Sequence, residues 1–291
     1  GAFLQPQHST RTFPGLFSPI QRNLGGFLNR FTRFLTDIML WQPFRSAHNQ
    51  WHQEQLKLPT VGINYFKWAK LFQTQTLYGF SPHVVPKPPD WGNHIELTGY
   101  WFLNDSTNWE VPRELIDFLE AGPPPVYVGF GSMTHREPEE TTNIVLEALV
   151  RTKQRGLLLT GWGGLNSSDL PDNVFKIESA SHDWLFPRMA AIIHHGGAGT
   201  TGASLRAGIP TIVVPFFFDQ FFWGQRVADL GVGPRSIPRK KLSVERLTAA
   251  ITTAVTDKEM QKRAAELGQR IRAEDGVARA VEFINRCLST S

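Results

Sequence analysis

From Pro123 onward, short apolar runs alternate with longer segments in which apolar residues recur at helical spacing. The apolar runs lack polar alternation, which is typical of strands that are covered on both faces. The intervening segments predict helices that connect parallel strands. We therefore expect strands over residues 126–130, 156–160, 174–177, 190–193 and 211–214, with helices over 139–152, 184–189, 203–207 and 220–229. This order of elements predicts an α/β fold whose parallel sheet is covered by helices on both faces.

The C-terminal segment, residues 242–287, has helical periodicity throughout. Leu247, Ile251 and Val255 share one face of a predicted helix, and Ser243 stands where its N-cap is expected. The segment therefore predicts helices that close the domain.

A segment near the N-terminus interleaves aromatic with basic residues. Phe27, Phe31, Phe34 and Ile38 recur at helical spacing, which predicts a helix with one apolar face. Aromatic stripes of this kind usually belong to a core, so we expect this face to point into the protein. Two alternatives stay open: the face forms an apolar wall for a lipid-like acceptor, or it lies on a membrane surface.

The run from His194 to Gly202 is rich in glycine and threonine and follows an apolar strand. A strand, a glycine turn and a helix together point unpaired backbone N–H groups and the positive end of a helix dipole at a phosphate. His194 and His195 should point to opposite faces, and the one on the ligand side adds a charge-assisted contact. Ser132, His195 and Asp219 each follow a predicted strand, where parallel sheets bind their ligands. The pattern predicts a site for a nucleotide-linked group.

Five short blocks of sequence are together more specific than the glycine turn alone. They are Leu77-Tyr78-Gly79-Phe80-Ser81-Pro82, Pro86-Lys87-Pro88-Pro89-Asp90-Trp91, Val126-Tyr127-Val128-Gly129-Phe130-Gly131-Ser132-Met133, His194-His195-Gly196-Gly197-Ala198-Gly199-Thr200-Thr201-Gly202 and Pro215-Phe216-Phe217-Phe218-Asp219-Gln220. In this order they resemble inverting glycosyltransferases with two Rossmann-like domains (the GT-B type), above all the sterol glucosyltransferase branch and its bacterial relatives. The resemblance covers nearly the whole chain.

The resemblance implies a role for each residue of a nucleotide-sugar site. The donor diphosphate would be held by Ser132, His195, Gly196, Gly197, Ala198, Gly199, Thr200 and Thr201. Asp219 and Gln220 would read the hexose hydroxyls, and His182 and Trp184 lie in the stretch that contacts the nucleobase. Structural alternatives stay open, with Asp219 as a helix cap, Ser132 as a turn residue and Trp184 as a packing residue.

Two positions depart from the plant branch of the superfamily. Ala203 stands where a glutamate of that branch binds the ribose, and Ser179 falls near the place of a tryptophan that stacks on uracil. Both differences weaken the assignment of uracil as the base and leave the diphosphate site untouched.

The resemblance also implies a domain organisation. Residues 1–110 would form an incomplete N-terminal, acceptor-side Rossmann-like domain, residues 111–125 a linker, and residues 126–291 the C-terminal nucleotide-sugar-binding domain with its closing helices. The family's general base lies on an N-terminal Gly-Ser-Arg-Gly-Asp-type segment that has no counterpart in this sequence. We therefore expect a fragment, or one piece of a split enzyme, without a catalytic base of its own.

The implied activity is inverting transfer of a hexose from a UDP-sugar to a hydroxyl of a lipophilic acceptor such as a sterol. UDP-glucose is the expected co-substrate, and no other cofactor and no metal are expected. Two alternatives stay open: a non-catalytic nucleotide-sugar or lipid-binding subunit of a split enzyme, and a nucleotide-sugar epimerase.

Composition narrows the class of protein further. The chain has 291 residues, of which 41% are hydrophobic and 19% charged, as expected of a packed globular protein. A net charge of +4 is too mild to indicate nucleic acid as a partner. The single cysteine, Cys287, allows no internal disulfide and fits a cytoplasmic protein. Peripheral contact with a membrane surface and the oligomeric state stay open.

Overall fold

The computed structural model describes residues 10–18, 20–63, 75–103, 109–130, 138–159 and 170–289. The helices are α1 Gly26–Glu54, α2 Arg113–Glu120, α3 Pro138–Thr152, α4 His182–Leu185, α5 Ala198–Ala207, α6 Gln220–Asp229, α7 Val244–Thr256, α8 Lys258–Arg272 and α9 Gly276–Ser289. The strands are β1 Thr76–Tyr78, β2 Ile95–Leu97, β3 Val126–Gly129, β4 Gly156–Leu159, β5 Val174–Ile177, β6 Ala191–His194 and β7 Thr211–Val213. Short 3-10 helices cover Phe186–Arg188 and Arg239–Lys241.

The main sheet is parallel and has the strand order β5-β4-β3-β6-β7. Val126 of β3 lies opposite Gly156 of β4 on one side and opposite Ala191 of β6 on the other. From β3 the chain adds β4 and then β5 on one side of the sheet. It then crosses back and adds β6 and β7 on the other side of β3. This reversal places a topological switch point between β3 and β6, where ligands of such sheets bind. The α/β fold with a parallel sheet is confirmed, and the strand ends agree with the prediction to within one residue.

Both faces of this sheet are covered, which explains its unbroken apolar runs. Val126, Val128 and Ile193 point to a core that includes Leu149 of α3 and Ile251 of α7. The alternate residues Tyr127, Leu157 and Ile192 point to a second core with Leu115 of α2 and Phe186. Neighbouring strand residues face opposite sides, so a strand buried on both faces needs an apolar residue at every position.

Several helices differ from the prediction in their bounds. Helix α5 begins at Ala198, five residues before the expected start at 203, because the glycines and threonines of the motif continue the helix. The C-terminal segment consists of three helices, and the side chain of Asp257 accepts the Met260 N–H at 2.9 Å where α8 begins. Ser243 is confirmed as the N-cap of α7, since its side chain accepts the Arg246 N–H. The predicted linker contains α2, whose Leu115 is fully buried.

The N-terminal part of the chain packs directly onto the C-terminal part. The parallel strands β1 and β2 contribute Tyr78 and Ile95 to a core that they share with Trp223 of α6 and Leu267 of α8. The Arg226 guanidinium donates to the Val84 carbonyl oxygen at 3.0 Å and 2.8 Å. These contacts fix residues 75–103 against the part of the chain that carries the main sheet. The predicted domain limits themselves stay a prediction.

The predicted core-facing stripe of α1 is wrong. Phe27 is 82% exposed, and Phe31 and Phe34 are 48% and 47% exposed. The buried side chains of this helix are instead mainly polar, namely Asn29, Arg33, Thr36, Asp37 and Trp41.

The preceding loop explains this orientation. The Gly15 N–H donates to Thr32 Oγ1 at 3.0 Å, the Leu24 N–H donates to Asn29 Oδ1 at 3.1 Å, and Asn29 Nδ2 donates to the Arg11 carbonyl at 2.7 Å. The backbone N–H and C=O groups of a loop are not paired within a helix or a sheet, so they need other polar partners. The polar face of α1 supplies these partners. Along the described stretches, no helix is both long and apolar enough to cross a membrane.

Candidate functional site

The carboxyl ends of β3, β6 and β7 meet at one edge of the sheet, because the three strands are parallel and adjacent. His194 ends β6 and His195 follows it, and the turn after β7 leads to Asp219 and Gln220. The sequence motifs therefore converge although 25 positions separate His194 from Asp219. Ser132 falls in 131–137, outside the described residues.

Two glycines shape the turn between β6 and α5. Gly196 has φ +91°, a conformation that favours glycine. A Cβ at this position would also lie only 2.7 Å from Val213 Cγ1, so sterics exclude a side chain as well. Gly197 is the extended N-cap of α5, and a Cβ there would lie 2.5 Å from His195 Nε2. The absence of a side chain on Gly197 leaves room for the imidazole of His195 beside the start of the helix.

The first turn of α5 offers backbone donors to an anion. Ala198, Gly199 and Thr200 open the helix, where N–H groups have no partner within the helix and the dipole is positive. A Cβ on Gly199 would meet no atom within 4 Å, so the space beside this turn is open. Thr201 differs, because its N–H and its hydroxyl both donate to the Gly197 carbonyl and the residue is fully buried. Among the described residues, the backbone donors left open at this turn are thus those of residues 198–200.

The two histidines have separate roles. His194 is fully buried, and its Nδ1 accepts the Gly196 N–H at 2.9 Å, which assigns the neutral tautomer with the proton on Nε2. Burial lowers the pKa of His194 well below its ordinary value. This residue shapes the turn and lies away from the ligand side.

His195 is partly buried, and its Nδ1 has no hydrogen-bond partner within the described structure. Burial lowers the pKa of His195 to about 4, so the imidazole is neutral at pH 7 when no anion is bound. A neutral imidazole cannot make the expected charge-assisted contact. That contact requires an anion close enough to raise the pKa.

Asp219 and Gln220 differ in exposure and in partners. Gln220 is 5% exposed, and its Oε1 accepts the N–H groups of Phe216 and Phe217 at 2.7 Å and 3.2 Å. Asp219 is partly exposed, and its Oδ2 accepts the Trp223 Nε1–H at 3.1 Å without capping the helix backbone. Burial raises the pKa of the Asp219 carboxyl. Gln220 thus holds the turn, and Asp219 presents its carboxylate.

A cavity of about 430 Å³ opens beside the strand-end edge, after β5. It is lined by residues 179–183, Ala203 of α5, Phe102, Leu103 and Trp109. His182 contributes to the wall and stacks on Phe186 at 4.3 Å between ring centroids. Sequence reasoning missed the aromatic wall of Phe102 and Trp109, because these residues come from a distant part of the chain and carry no local motif.

Trp184 does not line this cavity. Its ring packs edge-on against Trp109 at 5.5 Å, and the Arg188 guanidinium lies over it at 4.0 Å. These contacts give Trp184 the packing role that was the structural alternative.

Known structures share this architecture. The glycotransferase of kitacinnamycin is 22% identical, with a TM-score of 0.68 over 87% of this chain and 66% of that one. UDP-glucose: anthocyanidin 3-O-glucosyltransferase, solved in complex with UDP, is 17% identical, with a TM-score of 0.60 over 75% of this chain and 54% of that one. Residues 161–284 match the family described as Erythromycin biosynthesis protein CIII-like, C-terminal domain. The fold is that of a GT-B type glycosyltransferase.

Within that class, the chain is similar to sterol 3-beta-glucosyltransferases. Those named UGT80B1 and UGT80A2 of Arabidopsis thaliana are 41% and 43% identical over 98% and 99% of this chain, which covers 46% and 45% of their lengths. The Emericella nidulans enzyme is 42% identical over 98% of this chain and is covered to 21%. The chain thus has a sterol glucosyltransferase-like GT-B fold and spans less than half the length of these relatives.

Proposed function

We propose that this chain supplies the donor site of an inverting glucosyltransferase that moves glucose from UDP-glucose to the hydroxyl of a sterol or similar lipid. The open N–H groups of Ala198, Gly199 and Thr200 beside His195 at the switch point carry this proposal. The similarity to sterol 3-beta-glucosyltransferases supports the choice of donor and acceptor class. Since the chain spans less than half of those relatives, the activity is proposed for the protein as a whole.

The donor diphosphate would lie at the first turn of α5. The N–H groups of residues 198–200 would donate to its oxygens, and Gly196 and Gly197 would let the anion approach the backbone. His195 would donate a further hydrogen bond and become protonated as the anion raises its pKa. Ser132, which lies outside the described residues, stays a prediction for this diphosphate site.

The hexose and the nucleobase would extend in two directions from the diphosphate. The Asp219 carboxylate would accept hydrogen bonds from sugar hydroxyls, while Gln220 would keep the 216–220 turn in shape. The base would enter the cavity walled by Phe102, Trp109 and His182, whose aromatic faces favour a flat ring. Ala203 leaves room in that cavity where the plant branch has a glutamate.

In the proposed reaction, the acceptor oxygen attacks the anomeric carbon as the bond from that carbon to the diphosphate breaks, so the configuration inverts. The helix dipole, the N–H groups of 198–200 and His195 would stabilise the charge that develops on the leaving diphosphate. The proton of the acceptor hydroxyl goes to a general base, a role that we assign to no residue of this chain. The cytoplasmic location and the lack of a metal requirement stay predictions.

Isothermal titration of the chain with UDP tests the donor site. We expect His195→Ala to weaken UDP binding by about 10- to 100-fold, the value of a hydrogen bond to a charged group. His94→Ala, a histidine on the loop before β2, is the matched control and should leave the affinity unchanged.

Lack of UDP binding by the folded wild-type chain would refute the proposal, as would equal affinities of wild type and His195→Ala. A parallel assay of the complete gene product with UDP-glucose and a sterol tests transfer. UDP binding without transfer would favour the non-catalytic subunit, and an epimerised sugar formed without acceptor would favour the epimerase.

A further inference from the structure

Helix α1 exposes a broad apolar surface along its first four turns. Six large apolar residues are exposed there, namely Phe27, Leu28, Phe31, Phe34, Leu35 and Met39. At about 100° per residue, these side chains span roughly 140° of the helix circumference, and we call this surface the α1 apolar face. A helix of a globular protein normally turns such a face to the core, so the reverse arrangement marks an interaction surface.

The opposite side of α1 is fixed against the rest of the chain. Asn29, Arg33 and Asp37 are buried on that side. Asn29 Nδ2 donates to the Arg11 carbonyl oxygen at 2.7 Å. A rotation that buried the α1 apolar face would break this contact and expose the polar side, so the apolar face stays outward.

The charge of this region suits an anionic partner. Residues 10–58 contain six basic and two acidic residues, and this excess of four equals the net charge of the whole chain. Arg33 and Asp37 are both buried and offset each other. The other basic residues of the region are Arg11, Arg22, Arg30, Arg45 and Lys57, and the other acidic residue is Glu54.

An acidic side chain from another segment changes this balance little. Asp90 pairs with Arg30 at 3.5 Å, but its side chain is only 17% exposed, whereas that of Arg30 is 50% exposed. The outer surface around the α1 apolar face therefore stays basic.

The apolar surface continues from α1 toward the turn before α6. Phe17 is 40% exposed, and the loop that carries it is tied to α1 by the Gly15 N–H, which donates to Thr32 Oγ1 at 3.0 Å. The Phe17 ring contacts the ring of Phe218, which is 51% exposed. Phe218 directly precedes Asp219, so a large body bound along α1 would lie beside that residue.

We propose that the α1 apolar face and the basic residues around it bind the surface of a membrane that contains anionic lipids. Phenylalanine and leucine side chains enter the boundary between headgroups and acyl chains, and arginine and lysine attract anionic headgroups. A protein partner would have to supply an apolar groove and acidic side chains in one matching arrangement, whereas an anionic membrane presents both everywhere. The proposal goes beyond the proposed function and stands on exposure and charge alone.

Co-sedimentation of the complete gene product with lipid vesicles tests this assignment. The vesicles contain phosphatidylcholine alone, or phosphatidylcholine with about 30% phosphatidylserine to give a negative surface. We expect the anionic vesicles to bind at least about tenfold more tightly, since each basic residue near such a surface contributes about fivefold. Added salt should weaken this binding, because it screens the charges.

Two double variants probe the two parts of the surface. Phe27→Ser/Phe31→Ser should weaken binding to anionic vesicles by about 10- to 100-fold and leave the thermal unfolding midpoint unchanged, because both side chains are exposed. Arg22→Gln/Arg30→Gln should weaken the same binding by about 10- to 30-fold and leave binding to phosphatidylcholine unchanged.

Val277→Ser/Val281→Ser is the matched control. These two residues have the same spacing on α9 and are each 50% exposed, so the variant should bind vesicles like wild type. Equal losses in this control and in Phe27→Ser/Phe31→Ser would overturn the proposal, as would equal binding of wild type to the two kinds of vesicle.

Unchanged vesicle binding by Phe27→Ser/Phe31→Ser would also overturn it. A lowered unfolding midpoint in that case would show that another part of the protein covers the α1 apolar face. Titration of the same variants with UDP measures the proposed function separately. Vesicle binding without UDP binding would refute the donor site and leave the membrane surface intact.

Discussion

His194 and His195 are adjacent in sequence but differ in their surroundings, because side chains alternate along a strand. His194 Nδ1 binds the Gly196 N–H inside the protein, whereas His195 Nδ1 has no partner among the residues described. Burial lowers the pKa of both. One histidine therefore builds the turn, whereas the other keeps a buried Nδ1 without a hydrogen-bond partner among the described residues.

The low pKa of His195 predicts a pH-dependent affinity for UDP-glucose. Its value is about 4 in the free protein, and a bound diphosphate would raise it, so the complex takes up a proton. The affinity should increase as the pH falls from 8 toward 5, by at most about tenfold per pH unit. UDP-glucose suits the test because its diphosphate lacks the terminal ionisation near pH 6.

Titration calorimetry in two buffers of different ionisation enthalpy measures this proton uptake. His195→Ala should abolish the uptake, and a flat pH profile in wild type would contradict the prediction.

The lowered pKa of His195 also makes the free energy of unfolding depend on pH. A pKa lowered from 6.5 to about 4 gives stability that is present above pH 6.5 and is lost as the pH falls toward 4.

Two glycines of the turn predict opposite effects of an added methyl group. Gly196→Ala places a Cβ 2.7 Å from Val213 Cγ1 at a φ of +91°, so we expect a loss of about 1–3 kcal/mol in the free energy of unfolding. Gly199→Ala meets open space inside a helix and should stabilise the protein by about 0.5–1 kcal/mol.

The same Gly199→Ala methyl enters the space proposed for the diphosphate, so UDP binding should weaken although stability rises. Chemical denaturation and UDP titration of both variants measure the two effects. Stronger or unchanged UDP binding by Gly199→Ala would argue against a diphosphate at this turn.

At the scale of elements, α1 lies with its polar face inward. Loop carbonyls and N–H groups around Gly15 and Leu24 bind Asn29 and Thr32, and this hydrogen bonding decides the orientation. The aromatic face beside Arg30 is therefore exposed, as both an acceptor wall and the proposed membrane-binding surface require.

Stability measurements test the orientation of α1. Phe31→Ser should change the free energy of unfolding by less than about 0.5 kcal/mol, because the side chain is 48% exposed. Trp41→Ala is the contrast: this residue is 7% exposed, its Nε1 donates to the Gly62 carbonyl at 2.9 Å, and its loss should cost about 3–5 kcal/mol. A large loss in Phe31→Ser would restore the core-facing prediction.

At the scale of the whole molecule, the N-terminal part and the half that carries the main sheet share a core. Tyr78 and Phe80 pack with Trp223 of α6, and Ser81 Oγ donates to Glu274 Oε1 at 2.7 Å. Helix α6 starts at the 216–220 turn, so the packing that anchors the N-terminal part also supports Asp219. The two parts of the chain therefore form one continuous framework.

The sequence alone determined the parallel sheet, the glycine-rich turn after β6 and the residues that follow the strands. Unbroken apolar runs indicate strands buried on both faces. The backbone at Gly196 has a positive φ of +91°, which favours glycine. Such features depend on neighbours along the chain and are readable from it.

Only the tertiary structure decided which face of α1 is buried and that the Thr201 N–H and hydroxyl donate within α5. It also decided that Trp184 packs against its neighbours, whereas Phe102 and Trp109 line a cavity. The pairing of Phe17 with Phe218 belongs to the same group, since 201 positions separate them. Burial and hydrogen bonding between distant segments outweigh local periodicity, and no local pattern encodes them.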